Sequence, residues 1–461
     1  MGTRSGRKIS PGWPSALAAG LSGLAWYLRG WEPVSDVACA RLTEAATGEA
    51  GLLEGIAPVG LRQDTAALAA IQPRNGGTLG EVQARQWVAA RFAEVGLERV
   101  RLELILYPRW VGEGARLTLL RAPAIELPCL ALSGSAGTPV EGVKGQLIDV
   151  EGGQAEDYAL LGGWQTQGRI HLAWGGALHR RDICRNARRA GALGVIIAHP
   201  DPRPAEPGAA GAHLVETGTS VVLGRLPTLS VSHPVGQRLR EAAERGTPAR
   251  LNVTRRYTVG RGYNVVGELP GETKEYVALV AHHDAWYHGA ADNAAGVAGM
   301  LALAQAWNGS GQRPARPRRT LRFVSTTAEE EGLMGALADV VLRGVRVKAR
   351  CRGVVSLDVV GAPGGTLWAT GRPPQLRGAA MAIARGLGYE AATGNPASAY
   401  EGQVYGDHWP YTLLRIPGVM LAKYPYRYYH TPYDTAERLD YDDARYHVAI
   451  AGSLAWRLAS R

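Results

Sequence analysis

The segment from Tyr276 to Glu331 contains YVALVAHHD (276–284), AGVAGMLALAQAW (295–307) and TLRFVSTTAEEE (320–331). Two apolar runs of strand length flank a longer apolar run with helical spacing, and both strand-like runs end in histidine or acids. The alternation continues through GVVSLDVVG (353–361) and VMLAKYP (419–425). Strands alternating with helices imply an α/β layer fold, three layers deep, in which a mostly parallel sheet carries helices on both faces. Ligand crevices in such sheets lie beyond the carboxyl ends of the strands. The chemistry-bearing residues of this chain fall at those ends.

Upstream, residues 48–108 read as the first part of the same domain. Ala84, Trp87, Val88, Ala90, Phe92 and Val95 recur with helical spacing, Gly96 stands where a C-terminal cap belongs, and the strand-like VRLELILYP (100–108) follows. Between 109 and 254 the texture changes to short strands with Gly and Pro punctuation, as expected of an inserted β-rich domain. Within it, Ile170–Trp174 and Leu193–Ala198 read as strands around a helix near Arg185–Ala190. LPTLSVS (226–232) then leads into a helix at 236–246. Residues 255–461 would complete the first domain.

The chain has 461 residues, a net charge of +10, 46% hydrophobic and 20% charged residues, the balance of a folded protein of two or three domains. Its basic residues are nearly all Arg, with Lys only at 8, 144, 274, 348 and 423. The densest basic cluster, Arg180, Arg181, Arg185, Arg188 and Arg189, has no interleaved aromatics on which bases would stack, so nucleic acid is not an expected partner. Cys39, Cys129, Cys184 and Cys351 form no CxxC pair, which argues against a zinc knuckle or a redox motif. Arg4, Arg7 and Lys8 precede an uncharged run to Leu28 that resembles a weak signal or anchor, diluted by Pro11 and Pro14. That leaves export, membrane association and cytoplasmic residence open, and no stable membrane span is expected.

Three stretches, AHHDAWYHGAADNAAG (281–296), TTAEEEGLMGA (326–336) and YYHTPYDT (428–435), supply what a two-metal hydrolytic site needs: N and O ligands, an open position for water, and a base. His282 ends a strand, and Asp284 is spaced to hold its other ring nitrogen. Asp292 sits in a Gly-Ala-Ala-Asp-Asn loop from which a carboxylate reaches two cations. Glu329 and Glu330, adjacent at a strand end, point in different directions, so one can bind metal while the other faces water. Asp358 ends an apolar strand, where a buried carboxylate needs a cation or hydrogen bonds. His283, His288 and His408 read as ordinary histidines, and Glu331 as a residue of a helix start.

This order of His-x-Asp, Gly-x-x-Asp, Glu-Glu-x-Gly-Leu-x-Gly, a strand-end Asp and a late Tyr-His resembles the co-catalytic zinc aminopeptidase and glutamate carboxypeptidase family. The segment 168–246 is similar to the protease-associated domain found within several peptidases. The resemblance implies two Zn²⁺ per chain: His282 and Asp358 on one, Glu330 and His430 on the other, Asp292 between them. It makes Glu329 the general base and Asp284 the partner of His282. It places Tyr429 and, from GDHWPY (406–411), Asp407 in or beside the substrate pocket. A peptide is the implied substrate, and a homodimer is left open. HHDAWYHGAAD is nearest to the carboxypeptidase branch, but only residues 431–461 follow His430, so that branch's helical C-terminal domain is not expected. The function implied is an exopeptidase, foremost an aminopeptidase. The alternatives are a carboxypeptidase or amidohydrolase on N-blocked or acidic dipeptides, or a single-zinc acyltransferase like glutaminyl cyclase.

Overall fold

The computed structural model describes residues 51–206, 212–219, 224–309, 316–389 and 406–461, with Leu42 and Glu49. The signal-like run at 4–28 and Cys39 lie outside the described residues. No helix among those described is long and apolar enough to cross a membrane.

Thirteen strands are described: β1 (Glu98–Leu119), β2 (Ile125–Leu127), β3 (Leu130–Ala131), β4 (Val143–Asp149), β5 (Ile170–Trp174), β6 (Gly194–Ala198), β7 (Thr228–Val231), β8 (Pro248–Leu269), β9 (Tyr276–His282), β10 (Thr320–Thr326), β11 (Cys351–Leu357), β12 (Thr366–Arg372) and β13 (Gly418–Tyr424). They follow one another in the order β12-β13-β11-β9-β10-β8-β4-β5-β6-β7-β3, with β1 beside β8 and β2 beside β1. The centre of the first half is parallel: β9 pairs β10 and β11, and β11 pairs β13, all in parallel. Antiparallel β12 and β8 flank this centre.

The apolar runs are explained by burial on both faces, the usual condition of parallel strands. Side chains alternate across a strand, so Val277, Leu279 and Ala281 of β9 join one core while Ala278 and Val280 join another. The first core is covered by helices Pro58–Ala69, Ala295–Gly309 and Tyr441–Ser460, and the second by Met334–Arg350 and Trp409–Leu413. Helix Ala295–Gly309 is more enclosed than an amphipathic reading of AGVAGMLALAQAW suggests. Val297, Ala298, Met300, Leu301, Leu303 and Ala304 are all buried, because it lies between the sheet and two other helices. Helix Leu79–Glu94 is capped by Thr78, whose hydroxyl accepts the Glu81 N–H, and it ends ahead of Gly96 at φ +83°. It buries Ala84, Val88 and Phe92, whereas Ala90 faces outward.

The texture changes at 108/109 and 254/255 fall inside continuous strands. β1 and β8 run antiparallel from the Glu98–Glu268 pair to the Leu119–Ala249 pair, with register shifts between Glu98 and Arg101 and between Gly112 and Gly114. One end of this ribbon belongs to the first sheet. At the other end, Leu117, Leu119, Ala249, Leu251 and Val253 enter the core of the inserted lobe. Within that lobe β4, β5, β6 and β7 are parallel and packed by helices Arg180–Arg189 and His233–Glu244, so it repeats the α/β plan on a small scale. Cys129, Cys184 and Cys351 are free thiols.

The register sets the site. His282, last in β9, is level with Thr326, last in β10. Asp358 follows the Leu357–Leu421 pair of β11 and β13. All three strand ends therefore open on the same edge. Phe92 is fully buried against the ring of Phe323, centroids 6.3 Å apart, and ties helix Leu79–Glu94 to β10. Phe92→Ala is expected to cost about 3–5 kcal/mol of unfolding free energy. Urea titration of the purified chain checks this, and a loss no larger than that of a surface substitution would contradict it.

Candidate metal centre

Two groups of ligand-type side chains meet beyond the strand ends. His282, Glu329 and Asp358 form one, and Asp292, Glu330 and His430 the other. Within each, the candidate atoms lie within 4.8 Å of one another. Asp292 joins them. Its Oδ1 is 3.1 Å from His282 Nε2, and its Oδ2 is 2.9 Å from His430 Nε2. Asp358 Oδ1 stands 3.5 Å, and Glu329 Oε2 4.0 Å, from the same His282 nitrogen. Glu330 Oε2 is 3.0 Å from His430 Nε2 and accepts the Trp286 indole N–H at 2.8 Å.

Each position has a local cause. Asp292 lies in the turn between β9 and helix Ala295–Gly309, at φ −119° and ψ 83°, with a cis peptide bond to Asn293. Asp434 receives the backbone N–H groups of Ala291 and Asp292 at 2.9 and 3.2 Å, and the Tyr426 hydroxyl at 2.9 Å. Fully buried Arg74 donates from Nε to the His283 carbonyl at 2.8 Å and from Nη2 to the Gly289 carbonyl at 2.6 Å, closing the loop from below. Gly289 has φ +48°, and a Cβ there would lie 2.3 Å from the Asp292 carbonyl, so the loop admits no side chain.

Asp284 works differently from the sequence expectation. The His282 Nδ1–H donates to the Asp284 backbone carbonyl at 3.0 Å, whereas the Asp284 carboxylate is 3.7 Å from that nitrogen. The carboxylate instead accepts the backbone N–H groups of Glu329 and Glu330 at 3.1 and 3.2 Å. It holds the turn that carries both glutamates. The reason is geometric: the turn after β9 brings the Asp284 carbonyl, rather than its carboxylate, within hydrogen-bond distance of the ring.

Asp407 is buried and accepts a hydrogen bond from the Thr326 hydroxyl, behind the end of β10. Tyr429 stacks on the His430 ring with centroids 3.8 Å apart. Neither lines the small cavity beside Asp292, which is walled by Trp286, Tyr287, Glu330, His430 and Asp434. His283 turns away to Ser325 and Glu81. His408 is enclosed, its ring makes no hydrogen bond among the described residues, and burial pushes it down to about 3. Sequence reasoning passed over Arg74, Trp286 and Asp434, although Trp286 and Asp434 stand inside quoted stretches. It also missed the inserted lobe's segment 216–219, which reaches His430 from the far side. Arg180, read as part of the densest basic cluster, is buried, paired with Glu216, and lies over the Tyr429 ring at 5.6 Å.

The electrostatics are those of crowded acids. Burial raises Glu329 well above the carboxylate range, and Asp358, Asp407 and Glu330 add to it against the pull of His282. Burial likewise raises Glu330 and Asp358. Asp292 is the exception. Burial acts upward, but the two imidazoles outweigh it and hold its carboxyl below the ordinary range. His430 is held up to about 10 because Glu330 and Asp292 outweigh burial. Beyond the ligand groups, burial brings Asp407 to about 7 and Glu331 to about 8. Buried like charges of this density need protons or cations. His282 Nε2 and Glu330 Oε1, both buried, have no hydrogen-bond partner among the described residues. The donor set of imidazole nitrogens and carboxylate oxygens suits Zn²⁺ and similar divalent ions, so the side chains fit a pair of such ions.

Comparison with known proteins agrees with this architecture. Residues 264–455 match peptidase family M28, and residues 143–239 match the PA domain. A probable glutamate carboxypeptidase of Zea mays is 27% identical over 57% of this chain and 45% of its own length. Carboxypeptidase Q of Xenopus laevis is 28% identical over 53% of each chain. The chain thus spans about half the length of these curated relatives. Among solved structures, a peptidase M28 precursor from Shewanella amazonensis superposes with a TM-score of 0.67 at 22% identity, covering 90% of this chain and 96% of its own. A zinc aminopeptidase from Bacillus subtilis gives 0.63 at 21% identity, covering 87% and 94%. These likenesses establish the fold, and with the family matches they identify residues 264–455 as a peptidase family M28 domain, preceded in sequence by a PA domain.

Proposed function

We propose that this chain is a zinc-dependent exopeptidase, an aminopeptidase first, that hydrolyses a terminal peptide bond with two bound Zn²⁺ and Glu329 as general base. The observation that carries the reading is Asp292, whose two oxygens face the two imidazoles separately. A single-zinc centre, as in a glutaminyl cyclase-like acyltransferase, has no need of that bridge. The zinc aminopeptidase of the same fold supports both the metal and the substrate class.

In this proposal His282 and Asp358 would hold one ion, Glu330 and His430 the other, and Asp292 would serve both. When bound, the pair supplies a polarised scissile carbonyl and a water of lowered pKa. Glu329 takes that water's proton on a carboxylate oxygen and delivers it to the leaving amine. Its side chain is 14% exposed against 4% for Glu330, so it is the glutamate placed to meet water. Asp284 fixes the direction of both glutamates through their backbone. Trp286 holds Glu330 in the orientation that faces His430.

A carboxypeptidase is the second reading, favoured by the names of the curated relatives. A panel of aminoacyl amides run beside N-blocked and acidic dipeptides separates the two. Cleavage of the free-amine substrates alone is expected, and cleavage of N-blocked substrates alone would overturn the aminopeptidase assignment.

Glu329→Gln is expected to keep its zinc and lose about 10²–10⁴ in kcat, the usual size of a general-base contribution. Full activity in a zinc-loaded variant would remove Glu329 from the role.

The raised acids also predict how metal and pH combine. Asp407 (about 7) and Glu331 (about 8) favour the folded state fully below the ordinary carboxylate range, and their contribution is lost as pH rises through those values. His430, held up to about 10, acts in the same direction. The metal-free chain therefore carries growing buried charge between pH 6 and 8, roughly the span of these titrations. Bound cations compensate it. The Tm gap between zinc-loaded and metal-free protein is expected to widen over that span, while distant buried histidines such as His171 and His447 affect both forms alike. A constant gap would contradict the account.

A further inference from the structure

The two halves of the site are supported from different parts of the chain. On the His282 side the supports found among the described residues come from the peptidase half. His282 Nδ1–H donates to the Asp284 carbonyl, Asp284 accepts the Glu329 N–H, and Asp358 accepts the Val359 N–H at 2.9 Å. On the His430 side the inserted lobe intervenes. The Thr217 carbonyl accepts from His430 Nδ1 at 3.2 Å, and the Thr217 N–H donates back to the His430 carbonyl at 3.1 Å. His430 has φ +56°, a left-handed conformation a residue with a side chain adopts only when its surroundings hold it. Two residues on, the Thr219 hydroxyl donates to the backbone carbonyl of Glu330. One short segment therefore grips both terminal candidates of the same half.

That segment is itself anchored in the lobe. Ser133 N–H donates to the Gly218 carbonyl at 3.0 Å, Ser133 and Thr219 form a parallel bridge, and Glu216 pairs with Arg180 at the start of helix Arg180–Arg189. Gly218 makes the approach possible. It has φ +122°, and a Cβ there would lie 2.5 Å from both His430 Nδ1 and Arg180 Nη2. The hydrogen bond to Thr217 keeps the proton on Nδ1 and leaves Nε2, the atom facing Asp292 and Glu330, free as a ligand.

We propose that residues 217–219 of the PA domain are a positioning element for the Asp292–Glu330–His430 half, so that this lobe sets the affinity of one metal ion and leaves the other to the peptidase domain. The inference rests on the two-metal reading above. It makes the two ions unequal by construction: one is held within a single domain, and the other depends on how two lobes meet.

Calorimetric titration of the metal-stripped full chain with Zn²⁺ tests it without reference to activity. The wild type is expected to show two binding events. Thr219→Val removes only the hydroxyl, and Gly218→Ala pushes the segment off His430. Each is expected to weaken one event by about 10–100-fold, the usual effect of losing a contact behind a ligand, and leave the other unchanged. Thr219→Ser, which keeps the donor, is expected to behave as wild type. Should Gly218→Ala not fold, Thr219→Val with its Ser control decides the matter. A two-zinc wild type whose variants keep both affinities, or lose both equally, overturns the proposal while leaving the two-metal reading intact. A wild type that takes only one zinc overturns that reading and this inference with it.

Discussion

The arrangement of this protein's site depends on one carboxylate shared between two imidazoles. Asp292 alone among the clustered acids is pulled below its ordinary range, because each of its oxygens faces a histidine. Its neighbours Glu329, Glu330 and Asp358 are pushed the other way by burial and by one another. The surrounding structure holds that unfavourable density in place. Asp434 grips the Asp292 turn through two backbone amides, Asp284 grips the Glu329–Glu330 turn through two more, and Arg74 ties the loop between them through backbone carbonyls. The supports act mainly on backbone, so the ligand-type side chains keep their lone pairs for a cation.

The fold makes this possible by ending three buried parallel strands on one edge. Register, not sequence proximity, brings His282 level with Thr326 and sets Asp358 beside them. The ribbon of β1 and β8 then carries the inserted lobe out and back on paired strands. Across from that ribbon, Thr217 and Thr219 of the lobe contact His430 and Glu330. The lobe is thereby part of the site's wall as well as an attachment to it.

Much of this was legible in the chain. Wholly apolar strands such as YVALVAH announce burial on both faces, and their alternation with helical runs announces parallel pairing. Gly96 marks the end of a helix through chemistry that is purely local. The candidate ligands were legible because acids and histidines at the ends of apolar strands have few other uses. Asp284 was legible as a participant but not in its contact, since whether a carbonyl or a carboxylate meets the ring is fixed by the backbone turn. Tyr429 and Asp407 were likewise found near the site, the first stacked on His430 and the second holding the Thr326 hydroxyl. Arg74, between two helices, and Glu81, in the first turn of the second, could not be found, because a charged residue in such a place gives no sign that it will be buried a long way along the chain from its partners.

By itself the sequence determined which residue types stand at which strand ends, and with them the chemistry open to the chain: imidazole and carboxylate donors, a free glutamate, and a sheet to carry them. Those properties are local, set by side-chain alternation and by the two periods of strand and helix. Only the tertiary structure decided which oxygen faces which nitrogen and that the inserted lobe closes on His430. It also decided that Asp284 acts through its carbonyl on one side and its carboxylate on the other. These depend on register and on contacts between residues far apart in the chain, such as Thr217 with His430 and Arg74 with His283. Distances of a few tenths of an ångström decide them, and no pattern along one dimension carries that information.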